Sequence, residues 1–503
     1  MTLAELFPGL PLPAGCAGLE LHGLSADSRA VGPGDVYFAI AGAVHDGHDY
    51  IDDAVAKGAI AIVLDPAMRA ASEWSYLQVP VLELPALRDA LPQLAVRFYR
   101  NPGASMRVVG VTGTNGKTTC SWLLAAALAK LVGRAGLVGT LGWGEFLPLG
   151  AKLQGTGLTT PGALQLQRCL ASLLQAGCKY TAMEVSSHAL SQGRVACLPF
   201  DTAIFTNLSR DHLDFHGDMQ SYAAAKRMLF EQPGLQHAIL NIDDATGRKW
   251  AAALPAHLHT LTYSLQDAEA DIYVRAVSFA MHGIAAEVIT PQGNGSLQLA
   301  LIGKFNLANS LAVLAALLAA GFTLPNTIAA LAAVKPVPGR MQLVELANEH
   351  GDRCDSNITV VVDYAHTPDA LALALQALRP HAQAALRVVF GAGGDRDSGK
   401  RPLMGAVAEE HADSVILTSD NPRGERPAAI IADIRAGMRA PQAAHVESDR
   451  GIAIAHAIES ADSGDIVLIA GKGHEAEQII GDERIPFSDC DIARRELQRR
   501  FAA

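Results

Sequence analysis

Between Arg107 and Ala129 the chain reads RVVGVTGTNGKTTCSWLLAAALA: an apolar β-branched run, a polar turn bracketed by glycines, and an Ala/Leu-rich stretch with helical periodicity. This is strand, tight loop and helix. Glycine lets successive backbone N–H groups turn toward one anion, and the helix N-terminus adds its partial positive charge. Lys117 supplies a mobile cation, and the Thr118 hydroxyl can reach a phosphate-bound Mg²⁺. Gly113, Thr114, Asn115, Gly116, Lys117, Thr118 and Thr119 are therefore the candidate polyphosphate site. The strict GxxxxGK[ST] pattern is not met, because Val111 stands at its first glycine. A plain glycine-rich turn before a core helix has the same composition; the strand in front of it favours the phosphate loop.

At about 150 residues per domain, 503 residues suggest roughly three domains. RNPGAS near 103 and KPVPGR at 335–340 mark the expected boundaries, dividing the chain into 1–103, 104–338 and 339–503. A net charge of −11 argues against a sequence-independent grip on nucleic acid, which needs a basic face. The seven cysteines are odd in number, scattered and without a CxxC pair, as in a reduced, cytoplasmic protein. The N-terminus lacks the basic region of a signal peptide. The most apolar segment, LANSLAVLAALLAAGFTLP, is interrupted by Asn309 and Ser310 and reads as a buried helix rather than a membrane span.

From Arg107 to Val337, strand-like runs (VVGVT, GLVGT, TAMEV, TAIFTN, AILNI) alternate with helical stretches, and Asp271–Leu301 reads as a β-rich insert. Beyond the second boundary TVVVDY, LRVVFG, SVILTS and DIVLIAG alternate with helices, the signature of a parallel sheet with crossover helices. Ligands of such sheets sit beyond the carboxyl ends of the strands. The unusual polar residues fall there: Ser186, Ser187 and His188 after TAMEV; Arg210, Asp211 and His212 after TAIFTN; Asp363 and His366 after TVVV; then GAGGDRDSGKR, DNPRGE and GKGHE.

Phosphoryl transfer calls for Mg²⁺ and oxygen ligands. Glu184 can join Thr118 around one ion, and His212 is the best candidate for a second. SRDHLDFHGD also admits a zinc site on His212 and His216, or a purely structural histidine pair; no cysteine lies near to complete a zinc set.

GTNGKTT, MEVSSHAL, TNLSRDHLDFHG, YAAAKRMLF, GKFNLANSLAV, VPGRM, VDYAHTPD, GDRDSGKRPLM, DNPR and GKGHE occur in this order. Together they resemble the Mur ligases, most closely the branch that adds meso-diaminopimelate to UDP-N-acetylmuramoyl-L-alanyl-D-glutamate. The resemblance runs from Asp27 to Glu475 and implies a three-domain α/β fold: a small N-terminal α/β uridine-nucleotide domain, a central P-loop ATPase-like domain with a parallel sheet, and a C-terminal Rossmann-like α/β domain. It implies an ATP-dependent amide ligase of peptidoglycan precursor synthesis, cytoplasmic and monomeric, with no nucleic acid partner and no membrane insertion. Lys226 is implied to be carbamylated; bare lysine has no acceptor, whereas a carbamate offers oxygens to Mg²⁺. Two Mg²⁺ ions are expected, held by Thr118, Glu184, His212 and modified Lys226, with Lys117, Glu184, His212 and Lys226 carrying catalysis. Asn306 and Asn309 are implied adenine contacts, Arg340 and Asp363 ribose or phosphate contacts. Ser28 and the loop of Ala43, Val44 and His45 resemble uridine-binding elements; Thr159, Thr160, Ser186, Gln192 and Arg194 match positions around the diphosphate and peptide. Leu158 stands where some relatives have Asn, so any contact from that side chain is lost. Arg396, Asp420, Asn421, Pro422, Arg423, Gly471 and Glu475 are the implied amine-donor site, Arg423 meeting the distal carboxylate that distinguishes meso-diaminopimelate from lysine.

The rival readings are a lysine-adding relative, for which DNPR is the discriminator, and a folylpolyglutamate synthetase-like enzyme, against which the DSR-bearing first domain and DNPR argue. A P-loop switch belongs to another class, and a NAD-binding dehydrogenase is opposed by GAGGDRD, which lacks the third glycine of GxGxxG.

Overall fold

The structure, a computed structural model, describes residues 1–42, 45–347, 353–354 and 356–502. It divides into two compact units: Met1–Gly110 with Gly133–Ala203 and Ala225–Gln236, and Val111–Val132 with Ile204–Ala224 and His237–Ala503.

In the first unit, Gly23–Ser25, Asp35–Ala39, Ala61–Leu64 and Val81–Glu83 form a four-stranded parallel sheet in chain order. Side chains alternate across a strand, so Val36 and Phe38 face a core with Leu3, Leu6, Leu87 and Leu94, while Tyr37 and Ala39 face Ile51, Ala54 and Trp74. Tyr180–Glu184 pairs in parallel with Ala135–Gly139, as the alternating pattern predicts. Two strands not anticipated from the sequence, Gly142–Leu147 and Gly150–Gln154, extend this sheet in antiparallel fashion. Their signal was weak because Gly142, Gly144 and Gly150 take φ values of 119–155°, which only glycine adopts readily.

In the second unit the helix Lys117–Val132 follows the phosphate loop as expected. His237–Asn241, His259–Ser264 and Ile272–Ala280 are parallel neighbours. Gly283–Thr290 and Gly293–Leu299 then return antiparallel, which is the β-rich insert. The apolar segment forms the helix Lys304–Ala319, buried along nearly its whole length. Among the described residues no helix is long and apolar enough to cross a membrane.

The C-terminal sheet runs Gln342–Leu343, Thr359–Asp363, Ile466–Ala470, Leu386–Phe390, Ser414–Leu417, His445–Val446, parallel except at the first pair. Three neighbouring strand ends thus bring together GKGHE, GDRD and DNPR. Leu371, Leu375 and Phe390 lie in the core on one face of the sheet, and Val389, Ile454 and Ile469 on the other. The buried ion pair Arg450–Asp489, 2.8 Å long, ties strand ends to the last helix: Arg450 also donates to the carbonyls of Ser419 and Ala470.

Candidate active site

The phosphate loop is shaped by glycines that no other residue can replace without movement. Gly113 has φ 148° and a Cβ there would lie 1.9 Å from Thr206 Oγ1; Gly116 has φ 88° and its Cβ would lie 2.4 Å from Asn309 Oδ1. The loop is braced from behind. Asn115 N–H donates to Asn207 Oδ1 at 2.9 Å, Thr114 Oγ1 to the Ser209 carbonyl at 3.1 Å, and Thr206 Oγ1 to the Asn115 carbonyl at 2.5 Å. Lys117 Nζ arches back to the carbonyls of Gly113 and Thr114, both at 2.8 Å. Thr118 and Thr119 are buried in the first helical turn. Asn306 and Asn309 are also buried: Asn306 Nδ2 donates to the Ile302 carbonyl at 2.8 Å and Asn309 Nδ2 to Asn306 Oδ1 at 3.3 Å. Asn309 therefore backs the loop at Gly116.

Arg340 reaches this loop, its Nη2 lying 3.3 Å from Thr118 Oγ1 as donor. Its guanidinium is stacked 4.2 Å over the Tyr364 ring. Beside it, burial together with Arg340 and Lys472 pushes His474 down to about 3, so this imidazole stays neutral. Asp363 accepts the backbone N–H groups of Met341 and Ala365 at 2.7 and 2.8 Å; burial raises its pKa, against the pull of Arg340. It fixes the turn carrying Arg340.

His212 takes the left-handed backbone φ of 55°, a conformation worth attention in a non-glycine residue. Asp211 braces it, accepting the His212 N–H at 3.0 Å, with Oδ2 3.4 Å from Nε2. Burial opposes charge on Asp211, but His212, His366, Lys400 and Lys117 outweigh it and hold the carboxyl below its ordinary range. Among the described residues no three His, Cys, Asp or Glu side chains cluster as a metal set. His212 and His216 thus lack a zinc ligand set, and a cation bound near His212 needs oxygens of other kinds.

At the strand ends carrying DNPR and GKGHE, Lys472 is fully buried and its ammonium donates to Asn421 Oδ1, Glu475 Oε2 and the Glu477 carbonyl at 2.9, 2.8 and 2.7 Å. Asn421 Nδ2 adds a bond to the same Glu475 oxygen at 2.8 Å. Arg423 sits at φ 50°; its N–H donates to the Ile479 carbonyl at 3.1 Å and its carbonyl accepts from Gly481 N–H at 2.8 Å, both in the antiparallel hairpin of Glu477–Ile480 and Glu483–Pro486. Its Nη1 donates to the Gly394 carbonyl at 2.8 Å. Arg396 is exposed, and Gly393 lies against both: a Cβ there would meet Arg423 Nη1 at 3.0 Å and Arg396 Cγ at 3.8 Å. Burial, with Arg396 adding to it, lowers the Arg423 pKa. Two arginines beside one glycine suit a carboxylate, which they would bind by charge-assisted bonds. Gly471, at φ 114°, leaves room for Asp420, whose Oδ2 a Cβ would approach to 2.5 Å. Gly394 lets its loop close on Pro422, whose carbonyl a Cβ would approach to 1.8 Å. The glycines of GAGGDRD therefore serve packing against DNPR.

In the first unit, Thr160 Oγ1 donates to the Glu184 carbonyl at 3.0 Å and accepts from Ser186 N–H at 3.0 Å. Arg194 Nη1 donates to the Thr160 carbonyl at 2.9 Å, and its Nε and Nη2 grip Gln192 Oε1 at 3.0 and 2.6 Å. The Thr159 hydroxyl lies 3.1 Å from Thr140 Oγ1, which it can reach as donor. Buried Glu184 accepts the N–H of Thr140 at 2.7 Å and its hydroxyl at 3.1 Å. Thr159, Thr160, Ser186, Gln192 and Arg194 thus form one connected net with Glu184. Lys226 is buried in the helix Met219–Arg227. Ser28 is buried in a turn whose carbonyl accepts from Lys57 at 2.9 Å, and His45 is exposed near Tyr50. Ala43 and Val44 lie outside the described residues.

Residues 111–317 match the Mur ligase middle domain, 339–473 the Mur ligase glutamate ligase domain, and 20–99 the Mur ligase family catalytic domain. The chain belongs to the Mur ligase family. It is 48% identical over 497 residues to the UDP-N-acetylmuramoyl-L-alanyl-D-glutamate–2,6-diaminopimelate ligase of Pseudomonas aeruginosa, covering 99% of this chain and 98% of that protein. A solved structure of a ligase with the same name matches with a TM-score of 0.66 and 36% identity, over 100% of this chain and 99% of the other. The MurF ligase of Thermotoga maritima, solved in complex with ADP, shares the fold at 20% identity and a TM-score of 0.66, over 96% and 98% of the two chains. The three-domain α/β Mur ligase fold expected from the motifs is thereby established.

Sequence reasoning left several bracing residues without a role: in the first unit Thr140 under Glu184, and in the second Asn207 behind the loop, Tyr364 and His474 around Arg340, and Lys472. The signal for Lys472 and His474 was present, since both stand in GKGHE. Thr140 and Asn207 carried none beyond their place after a strand.

Proposed function

We propose that this chain is the ATP-dependent ligase that adds meso-diaminopimelate to the D-glutamyl side-chain carboxylate of UDP-N-acetylmuramoyl-L-alanyl-D-glutamate, a step of peptidoglycan precursor synthesis. The observation that carries the reading is the amine end: Arg423 beside Arg396 for a distal carboxylate, and Glu475 for an ammonium. Glu475 Oε2 is occupied by Lys472 and Asn421, while Oε1 takes no bond from a described residue. Full-length relatives named for this reaction support it.

A carboxylate resists attack by an amine because oxide would have to leave. One of its oxygens therefore attacks the γ-phosphorus of ATP, the β–γ P–O bond breaks, and ADP departs. The amine nitrogen then bonds to the acyl carbon of the resulting acyl phosphate, phosphate leaves with the C–O electron pair, and the nitrogen sheds its surplus proton to water. Catalysis is positioning and charge neutralisation. Lys117 and the loop N–H groups of Gly113–Thr119 hold the phosphates, with Arg340 beside Thr118; Asn306, Asn309 and Asp363 belong to the nucleotide side. Thr118, Glu184, His212 and Lys226 as carbamate would hold two Mg²⁺, whose oxygen-preferring chemistry neutralises the phosphate charge; a hydroxyl, a carboxylate, a carbamate and one imidazole suit a hard ion. Ser28 and the 43–45 loop would take the uridine nucleotide, and Thr159, Thr160, Ser186, Gln192 and Arg194 the diphosphate and peptide. Arg396, Asp420–Arg423, Gly471 and Glu475 would take the amine. Domains at 1–103, 104–338 and 339–503 then serve UDP-sugar, ATP and amino acid, in a monomeric cytoplasmic enzyme.

Lys226→Ala tests the carbamate. It should lose nearly all ligase activity, regain part with added short carboxylic acids, and keep its fold by circular dichroism. Full activity without added acid contradicts the role.

A further inference from the structure

Lys400 opens the helix Lys400–His411 directly after the GDRDSG turn and is only 8% exposed. Lys472, the other buried lysine of this region, satisfies its ammonium with three partners. Lys400 makes no hydrogen bond or ion pair with any described residue. The charges acting on it belong to Asp211 of SRDH and to Asp420, Asp397 and Arg396 of DNPR and GDRD. Asp211 in turn feels Lys117 of the phosphate loop. Lys400 therefore stands between the Arg210–Asp211 turn and the GDRD and DNPR motifs.

Its place is fixed by its own turn. Arg210 Nε lies 3.8 Å from Asp397 Oδ2, and a Cβ on Gly399 would come 3.1 Å from Arg210 Nη2. Burial drags the Lys400 pKa below the ordinary lysine value, with the three carboxylates pulling it back. A lysine side chain this buried, whose ammonium finds no acceptor among the described residues, is poorly compensated in the folded chain, and such residues concentrate where chemistry needs them.

We propose that Lys400 is a further catalytic residue, whose ammonium bonds to an oxygen of the reacting D-glutamyl side-chain carboxyl group and holds its negative charge as the amine adds. This rests on the ligase reading above. As the nitrogen–carbon bond forms, the carbonyl electron pair moves onto the oxygen facing Lys400; its return expels phosphate with the C–O pair. Lys400 keeps its proton throughout, acting as a preorganised donor.

The test compares Lys400→Met, Lys400→Arg and Lys400→Ala by amide formation from the UDP-muramoyl dipeptide, meso-diaminopimelate and MgATP, alongside thermal unfolding. The Met variant should lose about 10²–10³-fold in kcat, the effect of removing one such donor, with each KM within a few-fold of wild type. Its Tm should equal or exceed that of wild type, because an apolar chain of similar length replaces the unpartnered ammonium. Lys400→Arg should recover part of kcat, and ethylammonium should partly rescue Lys400→Ala. A Met variant with wild-type kcat overturns the proposal; so does one whose lost activity matches a lowered Tm and an increased unfolded fraction. Wild-type protein that releases no phosphate with all three substrates overturns the ligase reading itself, a separate result.

Discussion

The glycine loop at Gly113–Thr119 and the pocket proposed for the amine lie in the same unit yet are built from different materials. The loop uses backbone N–H groups, glycines at φ 148° and 88°, and one arching lysine. The pocket proposed for the amine uses side chains: Lys472, Asn421 and Glu475 are locked into one another at 2.8–2.9 Å, and Arg423 is pinned separately by a hairpin. A triphosphate presents the same anionic oxygens wherever it is bound, and a bent backbone suffices to hold them. Choosing one diamino acid over another requires a fixed charge at one point, which only a braced side chain provides.

Variants at each end sharpen that contrast. Lys117→Ala should have the largest effect: acyl-phosphate formation falls by about 10³-fold or more, while calorimetry finds UDP-muramoyl dipeptide binding within a few-fold of wild type. Loss of sugar-nucleotide binding would undo the division of labour. Next, Asp489→Ala leaves Arg450 charged and buried beneath the strand ends of the amine pocket, and urea unfolding should report a loss of about 3–5 kcal/mol. Arg423→Ala should raise KM for meso-diaminopimelate by about 10²-fold and leave KM for ATP unchanged, with Arg423→Lys recovering only part because an ammonium lacks the bidentate fork. If both Arg423 variants kept wild-type selectivity, Arg396 would become the leading cation. The smallest effect is expected at Gly116→Ala, where the strained φ and the contact with Asn309 should raise KM for ATP by roughly tenfold without altering amine preference.

The same contrast explains what could be read from the sequence. The loop announces itself because strand, glycines and lysine are contiguous, and the strands behind TAMEV, TVVV, VVF and VLIA carry clear apolar runs. The C-terminal pocket was legible as three motifs after three strands, but not as a network: that Lys472 grips Asn421, fifty-one positions away, depends on strand order. The hairpin Gly142–Gln154 was missed because its glycines dilute the strand pattern, and the pair Glu477–Ile480 and Glu483–Pro486 that fixes Arg423 is short and mostly exposed. Asn306 and Asn309 read as capping or turn residues by themselves; burial against the loop was invisible until the helix Lys304–Ala319 was placed beside it.

The most direct measurement is phosphate release by the wild-type enzyme with MgATP and UDP-N-acetylmuramoyl-L-alanyl-D-glutamate, comparing meso-diaminopimelate with lysine as the amine. The paired arginines and the braced Glu475 predict that release depends on both the nucleotide dipeptide and the amine, with kcat/KM for meso-diaminopimelate higher by about 10⁴-fold, the discrimination available to a site built around a polar partner. Equal use of lysine, or ATP hydrolysis at full rate with neither acceptor nor amine, would contradict the account.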